Sequence, residues 1–239
     1  MTEPAFNRRG LLKAGMFITA GAATFAASGG LAATVTASAT PARTFTPQPL
    51  PFDPKSISGL SEKLLVSHHD NNYGGAVKRL GTITSEFAKL DLATAPGFEI
   101  NGLKREELIA WNSMILHELY FAGLGTPTRP EVALEAALER DFGSHARWQA
   151  EFGAMGKALG GGSGWVLLTW SHRDNRLVNT WAADHTMTLA GGTPILALDM
   201  YEHAYALDYG AKAGAYVDAF IGTVNWSSAS TRFAKASAT

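Results

Sequence analysis

The sequence predicts an α+β fold: an N-terminal α-helical hairpin followed by a C-terminal α/β domain with a small three-stranded antiparallel sheet. Three observations lead there. Apolar residues recur at helical spacing through residues 60–121. Two aromatic and β-branched segments, 165–170 and 176–181, flank the polar turn His172-Arg173-Asp174-Asn175, which is the pattern of a hairpin. A third apolar run, 194–198, has the length of a strand and ends at Asp199.

The elements follow in chain order. Residues 40–57 form an extended arm, since five prolines lie between positions 41 and 54 with little periodicity. The helical-hairpin domain spans 58–126. Ser58 or Ser61 caps a helix carrying Leu60, Leu64, Leu65 and His68, and a second apolar series continues through Val77, Leu80, Ile83, Phe87 and Leu90. Gly74-Gly75 bends or breaks the path between the two. After a loop at Ala95-Pro96-Gly97, an amphipathic helix over 104–121 buries Leu108, Ile115, Leu116 and Leu119.

The C-terminal α/β domain spans 127–239. Pro130 suits a first helical position, and Gly143 stops that helix just beyond Phe142. Ser144 caps the next helix, which ends near Leu159 at Gly160-Gly161-Gly162. Beyond the three strands, 201–207 turns helical. His145 and His172 are expected at the solvent surface, and Trp111, Trp165, Trp181 and Trp226 in the core or an interface.

Composition narrows the function. With 46% hydrophobic and 17% charged residues and a net charge of -1, the chain is neither a disordered segment nor a polycation that draws nucleic acid, so the partner is small. Cysteine is absent, which leaves any metal site to histidine and carboxylate ligands. The N-terminus reads as an export signal. Asn7-Arg8-Arg9-Gly10-Leu11-Leu12-Lys13 resembles a twin-arginine motif, the stretch 14–42 carries no charge, and Ala37-Ser38-Ala39 offers a cleavage site. Residues 1–39 are therefore expected to be removed from a periplasmic or extracellular protein with no stable membrane insertion afterwards. An uncleaved anchor is the alternative.

The richest segment for chemistry is Asp199-Met200-Tyr201-Glu202-His203-Ala204-Tyr205. A carboxylate and an imidazole four residues apart suit iron or manganese, although such a pair alone is common on surfaces. The whole phrase resembles the Asp-x-Trp-Glu-His-Ala-Tyr signature of iron/manganese superoxide dismutases, with Tyr201 in place of Trp. Asp141-Phe142-Gly143-Ser144, Gly162-Ser163-Gly164-Trp165 and Val224-Asn225-Trp226 follow that family's order too.

The resemblance implies a ligand set of His68, His117, Asp199 and His203 around one iron or manganese ion per chain, with superoxide as substrate. It further implies a homodimer in which Glu202 reaches a ligand histidine across the interface. Tyr205, Trp165 and Phe121, the last standing where the family has Trp, are implied around the ligands or at that interface. The chain also departs from the pattern. The family's gateway Tyr falls on Ala76, and Asn72-Tyr73 replaces a His pair, so Tyr73 is the candidate for the missing hydroxyl. The outer Gln is replaced by Ser113, leaving His185, or else Asp184, to orient metal-bound solvent. These departures keep a second reading open: a dismutase-like periplasmic metal-binding protein with little or no activity.

Overall fold

The computed structural model describes residues 43–239. The expected signal, its Arg8-Arg9 pair and its cleavage site lie outside the described residues.

Helix α1 (Glu62–Ser67) is capped by Ser61, whose hydroxyl accepts from the Leu64 N–H; Ser58 takes no part in the cap. A π-helical turn, His68–Tyr73, leads directly into α2 (Gly74–Phe87). Gly74 keeps ordinary right-handed helical angles, so the irregularity lies ahead of the glycine pair rather than at it. The turn widens the helix by one residue at the point where His68 is presented.

Helix α3 (Gly97–Ala122) starts seven residues before the expected boundary, with Pro96 at its N-cap. Its buried side is Ala110, Ser113, Leu116, His117, Leu119, Tyr120 and Phe121, while Leu108 and Ile115 face outward. The helical hairpin formed by α2 and α3 closes over Leu80, Ile83 and Ala110.

Helix α4 (Val132–Phe142) has Glu131 at its N-cap position, in extended conformation and without a side-chain capping bond, so Pro130 stands before the helix rather than inside it. Gly143 ends it in the left-handed region at φ 88, and Ser144 caps α5 (His145–Ala158) by accepting from the Arg147 N–H. The Asp-Phe-Gly-Ser phrase is thus a corner, and Asp141 fastens it to the sheet by accepting from the Leu177 N–H at 2.7 Å.

Strands β1 (Trp165–Ser171), β2 (Arg176–Ala182) and β3 (Gly192–Asp199) make an antiparallel sheet in the order β2-β1-β3. Central β1 is buried along its whole length. Its register sets Trp165 beside Asp199 on one side and Ala182 on the other. Pro194, which has no N–H to donate, lies on edge strand β3 where that pairing shifts.

Helices α6 (Ala206–Tyr209), α7 (Ala213–Gly222) and α8 (Trp226–Ser237) complete the chain. Asn225 caps α8, and its own N–H donates to Gly123 O at 2.8 Å, tying the C-terminus to the end of α3. His145 is half-buried rather than exposed: it bonds Glu135 at 2.9 Å and lies against Trp148 and Trp226. His172 is exposed as expected. Trp165 and Trp226 are buried and Trp111 half-buried, whereas Trp181 is 52% exposed. Among the described residues, no helix is long and apolar enough to cross a membrane.

Candidate metal centre

Four side chains from four elements meet where the π turn, α3, the end of β3 and the turn after it converge. His68 comes from the π turn, His117 from α3, Asp199 from the last position of β3, and His203 from the tight 3-10 turn Glu202–Ala204 that follows. One nitrogen from each imidazole and a carboxylate oxygen all lie within 4.8 Å of one another. Asp199 Oδ2 is the hub, at 3.2 Å from His68 Nε2, 3.3 Å from His203 Nε2 and 3.5 Å from His117 Nε2.

The surroundings aim these atoms. Asp199 Oδ1 accepts from the Tyr201 N–H at 2.8 Å, which turns Oδ2 towards the histidines. The Tyr216 hydroxyl donates to the Asp199 carbonyl at 2.7 Å and steadies the strand end. His117 Nδ1–H donates to the Ser113 carbonyl one helical turn earlier at 2.6 Å, so Nε2 keeps its lone pair. His68 packs between Tyr120 and Phe121, with ring centroids 5.0 and 5.1 Å away.

Electrostatics favour the metal-binding forms of these residues. Burial alone would raise the Asp199 carboxyl, but hydrogen bonds from His203 and His68 outweigh it and hold the group well below the usual carboxylate range. Burial lowers His68 and takes His117 down to about 3, so both imidazoles are neutral. His117 Nε2 is buried without a hydrogen-bond partner, as is the second nitrogen of His68, Nδ1. A buried nitrogen lone pair facing a carboxylate is costly unless a cation joins them. A metal about 2.1 Å from each donor places neighbouring donors roughly 3 to 3.6 Å apart, which matches the spacing around Asp199 Oδ2. Three imidazoles and one carboxylate suit iron or manganese.

His185 stands beside this cluster, its ring centroid 6.1 Å from that of His117. Trp165 Nε1–H donates to His185 Nδ1 at 3.0 Å, and Asn112 Nδ2 donates to the His185 carbonyl at 2.6 Å. Tyr201 lies between His185 and His203, stacked at 4.7 Å and 11° on one and 5.3 Å and 13° on the other. Asp184 is engaged elsewhere: its Oδ1 accepts from the Thr186 N–H and hydroxyl.

Tyr73 is not at the centre through its hydroxyl. That oxygen accepts from the Gln48 N–H at 2.8 Å and donates to Glu118 Oε1 at 3.0 Å, so the π turn sends it towards the arm. Phe121 touches His68 and His117, and Trp165 meets His117 edge-on at 5.3 Å. Tyr205 is buried against Tyr216, and its hydroxyl accepts from the Gly161 N–H at 3.4 Å. Glu202 is exposed, next to His203, whose side chain is 25% exposed. Asn112, Tyr120 and Tyr216 carried no signal in the sequence, because their partners are far away along the chain.

Fold and site together define a mononuclear metalloenzyme with a three-histidine, one-carboxylate centre. Residues 130–232 match the model of the iron/manganese superoxide dismutases, C-terminal domain. A superoxide dismutase [Fe] of Cupriavidus metallidurans is 68% identical over 189 residues, 79% of this chain and 96% of the relative. A superoxide dismutase [Mn] of Halobacterium salinarum is 34% identical over 79% of this chain and 94% of its own length. An iron enzyme of Aquifex pyrophilus is 33% identical over 77% and 88% respectively.

The chain belongs to the iron/manganese superoxide dismutase family. It converts superoxide to dioxygen and hydrogen peroxide at an iron or manganese centre for which the His68, His117, Asp199 and His203 group is present.

Proposed function

We propose that this dismutase works with iron, held by His68, His117, Asp199 and His203, and that His185 is the residue that addresses the reacting oxygen species. The observation that carries the ligand assignment is the convergence of three imidazoles on Asp199 Oδ2, with His117 Nε2 otherwise unpartnered. The name of the Cupriavidus metallidurans relative, 68% identical, supports iron.

Held by these four residues, the metal would supply one-electron redox chemistry between its trivalent and divalent states. The chain's residues do the rest. The Asp199 carboxylate would set one negative charge against the higher metal charge, and the neutral His68 and His117 imidazoles add none. Two superoxide anions and two protons yield one dioxygen and one hydrogen peroxide, so the protein must also manage protons. Because Trp165 is a donor only, Nδ1 of neutral His185 must be the acceptor and Nε2 must carry the hydrogen. His185 thus offers a fixed N–H beside the cluster, and burial, which lowers its pKa, keeps the ring neutral. This N–H is the donor available where the family's Gln is replaced by Ser113.

Export and dimerisation belong to the same proposal. The Arg8-Arg9 pair and the uncharged stretch 14–42 support passage through the twin-arginine route, which carries folded proteins and so suits one loaded with metal before release. The exposure of Glu202 and of the adjacent His203 edge supports a homodimer in which Glu202 reaches the partner's ligand histidine.

Elemental analysis of the purified mature protein tests the reading, followed by dismutation assays after separate iron and manganese reconstitution. About one iron per chain with iron-dependent dismutation is expected. Bound metal without dismutation favours the metal-binding alternative, and no specific metal in either preparation overturns both. Sedimentation velocity of the wild type and of Glu202→Ala checks the dimer.

A further inference from the structure

We propose that the N-terminal arm is a latch for metal retention, acting through a polar clamp between Gln48 and the residues that directly follow two of the ligands. The inference rests on the centre holding a metal, and adds a positioning role that the ligand set does not contain.

The clamp has four members. The Gln48 N–H donates to the Tyr73 hydroxyl at 2.8 Å, and His69 Nε2 bonds the Gln48 carbonyl at 2.8 Å, so both main-chain groups of one arm residue are held. Tyr73 and His69 lie on the same π turn as His68. The Tyr73 hydroxyl then donates to Glu118 at 3.0 Å, the residue after His117 on α3. The arm residue therefore holds the π turn that carries His68, and through the Tyr73 hydroxyl it is linked to the α3 segment that carries His117.

Phe121 connects the clamp to the centre, its ring lying 5.1 Å from His68, 5.7 Å from His69, 6.3 Å from Tyr73 and 6.4 Å from His117. Movement of Tyr73 or His69 is passed by contact to both ligand rings. The arm is not packed tightly here. A cavity of about 190 Å³ lies between Pro49 and Pro51 on one side and Tyr73, Glu118 and Phe121 on the other. Dispersion contacts across such a gap are weak, so the hydrogen bonds hold this stretch. Phe45, Leu50 and Phe52 anchor the arm to the core on either side. The segment between them can loosen without the fold coming apart.

Tyr73→Phe keeps the ring and removes both hydrogen bonds of the hydroxyl. Wild type and variant, each loaded with iron, are mixed with excess chelator, and iron release is followed together with the ferric absorption and paramagnetic resonance spectra. Release is expected to quicken about fivefold, the equivalent of one hydrogen bond, with an altered ferric signature. Ser144→Ala, which removes the α5 cap far from the clamp, is the control for general destabilisation. It should lower the melting temperature while leaving release and spectra at wild-type values. Glu118→Gln, whose side-chain carbonyl still accepts from Tyr73, should also retain iron normally. If Tyr73→Phe does not fold, Gln48→Pro removes the arm's donor instead and should release iron at the same raised rate. Release unchanged in Tyr73→Phe, or in Gln48→Pro where Tyr73→Phe does not fold, or raised equally in Ser144→Ala, overturns the proposal. None of these readouts requires dismutation, so an inactive enzyme and a failed latch remain distinguishable.

Discussion

Trp165 and His185 are bound indole to imidazole at 3.0 Å, the first residue of the central strand holding a histidine of the loop beyond its neighbour strand. The direction of that bond is set by chemistry, since an indole N–H can only donate. Trp165→Phe keeps an aromatic body but leaves His185 free to exchange tautomers. Turnover per bound iron should fall about tenfold, equivalent to a loss of about 1.4 kcal/mol, with metal content unchanged. Stopped-flow dismutation alongside elemental analysis of the same sample checks this.

His185→Ala removes the donor altogether. Because His185 is outside the ligand group, iron content should stay near the wild-type value. Turnover should drop on the order of 100-fold, the lower end of what a positioned proton-handling group contributes. Equal losses of metal and activity would instead make His185 a determinant of binding.

Asp199→Ala takes away the hub of the cluster, leaving three buried or half-buried imidazoles with no carboxylate among them. Metal affinity should fall by more than about 100-fold, beyond the loss typical of partners that only orient a ligand. Competition with a chelator of known affinity measures it.

Asp141 gives a pH test of stability. Burial opposes its charge, but Arg140 and the Leu177 N–H outweigh that and lower its pKa below the ordinary carboxylate value. A depressed carboxylate pKa stabilises the fold above about pH 4, and that contribution disappears as pH falls through the lowered value. Asp141→Asn should therefore be less stable than wild type by about 1 to 3 kcal/mol at pH 7, with the gap closing towards pH 3. Urea unfolding at both pH values reads the difference.

Gly164 accounts for the glycine before the site tryptophan. Its φ is +132, and a Cβ there would lie 2.2 Å from the Ala182 carbonyl oxygen. Gly164→Ala should cost roughly 3 kcal/mol or more and displace Trp165, so thermal denaturation and turnover should both suffer.

The α+β architecture and the strands were legible because each rests on local pattern, and the ligand set was legible through the resemblance to the family. The hairpin was marked by β-branched segments around a polar turn, and Asp199 and His203 are neighbours in sequence. The π turn was not legible. Its residues, His68-His69-Asp70-Asn71-Asn72-Tyr73, contain no glycine or proline, and the extra residue serves a tertiary demand on where His68 points. Tyr73 was misassigned for the same cause, since its hydroxyl answers to Gln48 and Glu118, 25 and 45 residues away. Leu108 and Ile115 fit an apolar stripe as well as Leu116 and Leu119 do, and only packing against α2 and the sheet decides which side of α3 is inside.

The register of β1 against β3 has a consequence for folding. Trp165 and Asp199 are cross-strand partners, so the indole that orients His185 and the carboxylate that gathers the histidines ride on one pairing. A slip of one residue sends alternate side chains to the opposite face. It would withdraw Asp199 from the imidazoles and break its alignment with Trp165 in a single event. A mispaired sheet therefore yields an enzyme with neither anchor in place, and metal capture itself reports that the strands have found their correct partners.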